Sequence, residues 1–184
     1  MIHSKRVDNL ESNTQKGAGL VFLIGFMGCG KTTLGKKLAA RMDYPFIDLD
    51  HVLEAKTGMT IAEYFSTYGE GKFRKLESEI LKQTDYPENA IISTGGGLPC
   101  FFDNMDWMNA HGRSIYIQLP PKTLAQRLSN EKNKRPLLRD KQGEELVAFI
   151  SEKLNERESF YKKASIIADG LGINAERAAE MIKQ

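Results

Sequence analysis

The stretch Gly25-Phe26-Met27-Gly28-Cys29-Gly30-Lys31-Thr32 can do phosphate chemistry, because it fits the pattern G-x-x-x-x-G-K-[S/T]. Glycines let the backbone wrap an anion without side-chain clashes, and successive N–H groups then face it. Lys31 would reach the β- and γ-phosphates of a nucleotide, and the Thr32 hydroxyl would hold Mg²⁺. The motif has this meaning only between a strand and a helix. The apolar run Leu20–Ile24 before it reads as a buried strand, and Leu34, Leu38 and Met42 follow at helical spacing.

Other candidate residues are carboxylates, glycines and arginines. Asp48 and Asp50 end the apolar stretch Phe46-Ile47-Asp48-Leu49-Asp50 and, two apart on a strand, project to one side. Such a pair is costly beside apolar residues without partners, which a nearby metal ion and a substrate hydroxyl would supply. The plainer alternative, Asp50 capping a helix over 51–56, accounts for one aspartate only. Gly95-Gly96-Gly97 follow Ile91-Ile92-Ser93-Thr94 and offer N–H groups and close approach to a ligand, where a simple turn needs one or two glycines. Arg74 borders an apolar face made by Phe73, Leu76 and Ile80, and Arg157 sits similarly before Phe160 and Tyr161. Each alone reads as a surface charge. Together on one pocket they would suit a carboxylate through bidentate hydrogen bonds. Residues 130–143 are basic and almost without apolar periodicity, which fits either a solvated loop or a lid over nucleotide phosphates.

A scaffold must bring these residues together. Strands are expected at Leu20–Gly25, Pro45–Leu49, Ala90–Thr94, Ser114–Leu119 and Ser165–Ala168. Helices are expected at Lys31–Met42, Ile61–Tyr68 with Phe73–Lys82, Phe102–Ala110, Lys122–Ser129, Glu144–Lys163 and Ala175–Lys183. Thr60 with Glu63 makes a capping box, and Asn174 is a cap for the last helix. This alternation predicts an α/β fold with a five-stranded parallel sheet and helices on both faces. Ligands of such sheets bind beyond the carboxyl ends of the strands, where the phosphate loop, the aspartate pair and the glycine triplet all fall.

Residues 1–18 are polar and read as a flexible tail, leaving 19–184 as one domain. A net charge of +2 gives no general reason to bind nucleic acid or an anionic surface. No apolar run approaches the ~20 residues of a spanning helix, and the N-terminus lacks a signal-peptide core. Two cysteines, Cys29 and Cys100, make no disulfide framework, and one lies inside the phosphate loop, so a reducing cytoplasm is expected.

Taken in order, Gly-Phe-Met-Gly-Cys-Gly-Lys-Thr-Thr, Asp-Leu-Asp, Phe-Arg, Thr-Gly-Gly-Gly, Arg-Pro-Leu-Leu and Arg-Glu-x-x-Tyr resemble the shikimate kinase family over about residues 20–183. The resemblance implies a three-layer P-loop kinase fold of the nucleoside-monophosphate-kinase type with a mobile lid. It implies ATP-dependent phosphorylation of the shikimate 3-hydroxyl on the way to chorismate and aromatic amino acids. Shikimate and ATP are then the small-molecule partners, with Mg²⁺ as cofactor, and a monomer is expected.

Carried over by motif, Gly28, Cys29, Gly30, Lys31, Thr32 and Thr33 would bind ATP phosphates, with Thr32 and Asp48 on the metal. Asp50 would bind substrate hydroxyls and act as base. Arg74 and Arg157 would grip the carboxylate beside Gly95, Gly96 and Gly97. Arg135 would be the lid arginine at the transferring phosphoryl group, and Arg127 would stack on adenine. Cys29 stands where the family usually has alanine or another small residue. The turn 169–174 departs from the commoner Asp-Thr-x-x-x-x-Pro pattern, so no adenine contact is carried over to it. Two other readings stay open: another small-molecule kinase of this fold, such as a gluconate or nucleoside-monophosphate kinase, and a non-catalytic nucleotide-binding module.

Overall fold

The computed structural model describes residues 17–129, Leu138 and residues 141–184. Residues 1–16 of the expected tail, and most of 130–143 with Arg135, lie outside the described residues. The Ala18 N–H already donates to the Tyr44 hydroxyl at 2.8 Å.

Strands β1 (Leu20–Ile24), β2 (Phe46–Asp48), β3 (Ala90–Ser93), β4 (Gly112–Gln118) and β5 (Ile166–Asp169) form one sheet in the order β2-β3-β1-β4-β5. Every pairing is parallel. The central strand β1 explains its own apolar run, because both of its faces are covered. Phe22 and Ile24 face a cluster with Leu53 of α2 (Leu49–Thr57), Ile80 and Leu81 of α3 (Ile61–Gln83), Met108 of α4 (Asn104–His111) and Tyr161 at the end of α6 (Gly143–Tyr161). Val21 and Leu23 face Leu38 and Ala39 of α1 (Lys31–Met42) and Ala178 and Ile182 of α7 (Ala175–Lys183). A third cluster seats Phe26 and Cys29 of the phosphate loop against Leu124 and Leu128 of α5 (Pro121–Ser129) and Leu146 and Ile150 of α6. Each such buried side chain stabilises by roughly 1.5–3 kcal/mol, which anchors the loop to the domain core.

The expected caps are present. Thr60 Oγ1 accepts from the Glu63 N–H at 3.2 Å while Glu63 Oε2 accepts from the Thr60 N–H at 2.8 Å. Asn174 Oδ1 accepts from the Arg177 N–H at 2.9 Å.

Elsewhere the structure corrects the expected boundaries. β2 stops at Asp48, and Leu49 already opens α2. The cap of that helix is Asp48, whose Oδ1 accepts the Asp50 N–H at 3.1 Å, so Asp50 lies in the first turn and is not the cap. The two helical patterns expected over 61–82 run together as α3, interrupted only at Gly69 (φ 79°, ψ 168°). α4 starts at Asn104, later than expected, because Phe102 takes a left-handed φ of 51° that no helix accommodates.

Candidate active site

The phosphate loop leaves β1 and enters α1 through Gly30, whose φ of 98° is open to glycine at no steric cost. No side chain caps α1, so its first-turn N–H groups face outward as donors for an anion. Lys31 is 9% exposed, and its Nζ donates to Gly25 O at 2.8 Å, Phe26 O at 3.1 Å and Cys29 Sγ at 3.6 Å. These account for all three ammonium protons, and the thiol is the weakest acceptor of the set. Thr32 Oγ1 donates to Asp48 Oδ2 at 3.1 Å. A cavity of about 200 Å³ opens here, lined by Gly28, Lys31, Thr32, Asp48, Asp50 and Gly96 among others.

The Thr32 hydroxyl and the Asp48 carboxylate form a pair of hard oxygens of the kind Mg²⁺ takes, since that ion binds one or two protein groups and completes its shell with phosphate and water. Among the described residues no cluster of three or more His, Cys, Asp and Glu side chains forms a metal cage.

A second cavity of about 260 Å³ shares Gly30 and Thr33 with the first. Arg127 lines it, and its Nη1 donates to Cys29 O at 3.2 Å. Gly170, Ile173 and Asn174 line it too, so the turn after β5 borders the same cavity as Arg127 despite its unfamiliar sequence.

On the other side the glycine triplet after β3 is crowded by charged side chains. A Cβ on Gly95 would sit 2.8 Å from Glu77 Oε1 and 3.1 Å from Asp50 Oδ1. A Cβ on Gly97 would sit 2.5 Å from Arg74 Nη1, and one on Gly96 would lie 3.8 Å from Arg157 Nη1. Arg74 of α3 and Arg157 of α6, far apart in sequence, are thus brought to one place with Asp50. Arg74 keeps only 11% of its side chain exposed, with its Cζ 4.4 Å from the centre of the Phe101 ring. Arg157 Nη1 is buried with no hydrogen-bond partner among the described residues, and its guanidinium lies 5.4 Å from the Phe26 ring centre. A buried orphan donor is costly, and a ligand carboxylate would satisfy it. Tyr161 donates to Gly96 O at 2.5 Å and fixes the triplet.

Glu77 belongs to this site and was absent from the sequence candidates. It is 4% exposed and accepts from Arg74 Nη1 at 2.7 Å. Burial pushes its carboxyl up to about 7, opposed by Arg74 and helped by the nearby Asp50. A signal existed: Glu77 lies one helical turn after Arg74, beside the apolar positions Phe73 and Ile80. Cys100, in the same neighbourhood, has its thiol pushed up to about 11 by burial, which leaves it a packing residue.

No described helix is long and apolar enough to cross a membrane. Residues 27–184 match the family model described as shikimate kinase. A shikimate kinase of Parabacteroides distasonis is 48% identical over 149 residues, covering 81% of this chain and 86% of the relative. The crystal structure of a shikimate kinase from Bacteroides thetaiotaomicron superposes with a TM-score of 0.84 at 38% identity, over 90% of this chain and 99% of the other. A shikimate kinase from Acinetobacter baumannii, solved in complex with shikimate, gives a TM-score of 0.78 at 33% identity over 90% and 91% of the two chains.

Proposed function

The chain belongs to the shikimate kinase family, and on that premise we propose how its residues divide the work of moving the γ-phosphoryl group of ATP to the 3-hydroxyl of shikimate. The observation that carries this reading is the convergence of Asp50, Arg74 and the orphan Nη1 of Arg157 around Gly95–Gly97, beside a phosphate loop. One carboxylate and two arginines match an acceptor that has both a hydroxyl and a carboxylate.

Phosphoryl transfer needs positioning and charge stabilisation more than covalent help from the protein. On this reading the N–H groups of Gly28–Thr33 cradle the phosphates. Lys31 follows the charge onto the γ-phosphoryl group by exchanging its weakest bond, the one to Cys29 Sγ, for a phosphate oxygen. Thr32 and Asp48 hold Mg²⁺, which when bound neutralises phosphate charge. Asp50 orients the attacking hydroxyl and takes its proton late; carboxylates are weak bases near neutrality, so orientation is the larger part of its task. Arg74 and Arg157 bind the carboxylate of shikimate and set the ring so that the correct hydroxyl faces the phosphates. Arg127 flanks adenine in the second cavity. Arg135, outside the described residues, is the proposed lid cation, and the lid reading of 130–143 stands with it. The protein acts as a monomer in the cytoplasm on this reading.

A coupled assay of ADP release across acceptors tests the reading. Shikimate should stimulate release at least a hundredfold over water, and gluconate and nucleoside monophosphates should not. Equal stimulation by gluconate, which also carries a carboxylate, would overturn shikimate as the specific acceptor, and equal stimulation by a nucleoside monophosphate, which carries none, would overturn the assignment of the arginine pair.

A further inference from the structure

We propose that Glu70 is a positioning residue for the acceptor: it holds the Arg74 guanidinium in the orientation that presents a free fork to the substrate carboxylate. The proposal rests on the reading of Arg74 given above and adds a residue to it.

Arg74 carries five N–H donors. Nε and one N–H of Nη2 go to Glu70 Oε1, at 3.2 and 3.1 Å. One N–H of Nη1 goes to Glu77 Oε2 at 2.7 Å. Among the described residues this leaves one donor on Nη1 and one on Nη2, the pair a carboxylate accepts bidentately. Glu77 alone would hold the guanidinium at one point and leave it free to turn about that bond. Glu70 adds the second point on the opposite side of the group. The Phe101 ring, 4.4 Å from Cζ, backs the plane, and Phe73 lies 5.1 Å away.

An (i, i+4) pair with an exposed carboxylate is usually a solvated surface contact. Here only the glutamate is exposed, at 56%, while its partner is 11% exposed and lies in the site. The backbone also sets Glu70 apart. It follows Gly69, the one residue of α3 outside helical φ/ψ, at φ 79°. Nothing lies within 4 Å of a Cβ built there, so the torsion, not space, calls for glycine. The break ends one helical stretch and starts the next one at Glu70, a turn before Arg74.

The test is a double-mutant cycle on the full chain, read as KM for shikimate, KM for ATP and kcat. Glu70→Ala should raise KM for shikimate about 3–10-fold, with KM for ATP and kcat within about twofold. Glu70→Gln keeps an acceptor oxygen for Nε and Nη2 and should stay within about twofold of the parent. In an Arg74→Leu background, Glu70→Ala should add nothing. An unchanged KM in Glu70→Ala overturns the proposal, and so does an equal rise in both backgrounds. A fall in KM also overturns it, because Glu70 would then be a competitor for the fork. If Arg74→Leu itself leaves KM for shikimate unchanged, the reading of Arg74 fails as well, and that arm separates the two failures.

Discussion

Thr32 Oγ1 donates to Asp48 Oδ2 across 3.1 Å, tying the second residue of α1 to the last residue of β2. The other oxygen of Asp48 caps α2. Asp48→Asn keeps a good capping residue and removes the charge. The Mg²⁺ concentration for half-maximal activity should rise on the order of tenfold, while thermal stability and KM for shikimate change little. An unchanged Mg²⁺ requirement would show that Asp48 serves only the helix.

Lys31→Ala should lower kcat on the order of 10²–10³-fold, the usual consequence of removing a group aimed at developing charge. The variant loses bonds to Gly25 O and Phe26 O, so circular dichroism is measured alongside to verify the fold. A folded variant with near-normal kcat would remove the phosphate-loop assignment.

Arg74→Leu and Arg157→Leu should each raise KM for shikimate ~10–100-fold and leave KM for ATP nearly unchanged, since each removes charge-assisted bonds of ~1.5–3 kcal/mol. Gly97→Ala reaches the same end by another route. Its Cβ would collide with Arg74 Nη1 at 2.5 Å, and the mobile end of a side chain moves more easily than backbone. The fold should survive, and KM for shikimate should rise severalfold. Equal weakening of both substrates in these variants would contradict a dedicated carboxylate site.

Much of this was legible in the sequence because it is local. The phosphate loop needs only strand, glycines and helix in succession, and β1 declares itself by being apolar on both faces. The arginine pair was legible as types but not as a pair, since periodicity places Arg74 and Arg157 on helices without saying which helices meet. That depends on the sheet order and, for Arg74, on Gly97, where a Cβ would sit 2.5 Å from its Nη1. The Asp48 and Asp50 roles turned on where β2 ends, a matter of one residue. Stopping at Asp48 makes it the cap and frees Asp50 from that task. Glu77 was missed because helix patterns treat a carboxylate as a solvated group, and only the packed structure shows it under Gly95.

Glu77 also gives a pH signature. Its carboxyl rises from an ordinary 4.5 to about 7, with burial as the main cause. A raised acid is protonated more readily when folded, so its contribution is full below about 4.5 and is lost as pH rises through about 7. The shift corresponds to roughly 3 kcal/mol at most. Glu77→Gln keeps the size and an acceptor for Arg74 but cannot ionise. Between pH 5 and about 8 the parent should lose thermal stability relative to this variant. A constant difference across that range would mean that Glu77 stays ionised beside Arg74 throughout.

The most direct test is the turnover of Asp50→Asn with shikimate, measured together with shikimate affinity. Asparagine keeps the size and still bonds a hydroxyl, but it cannot usefully accept a proton. The expected result is a kcat lower by roughly 10²–10⁴-fold, with shikimate affinity changed by only ~1 kcal/mol and Mg²⁺–ATP binding intact. A kcat within a few fold of the parent would contradict a catalytic Asp50. Loss of Mg²⁺–ATP binding in Asp50→Asn, with Asp48→Asn unaffected, would show that the two aspartates have exchanged roles.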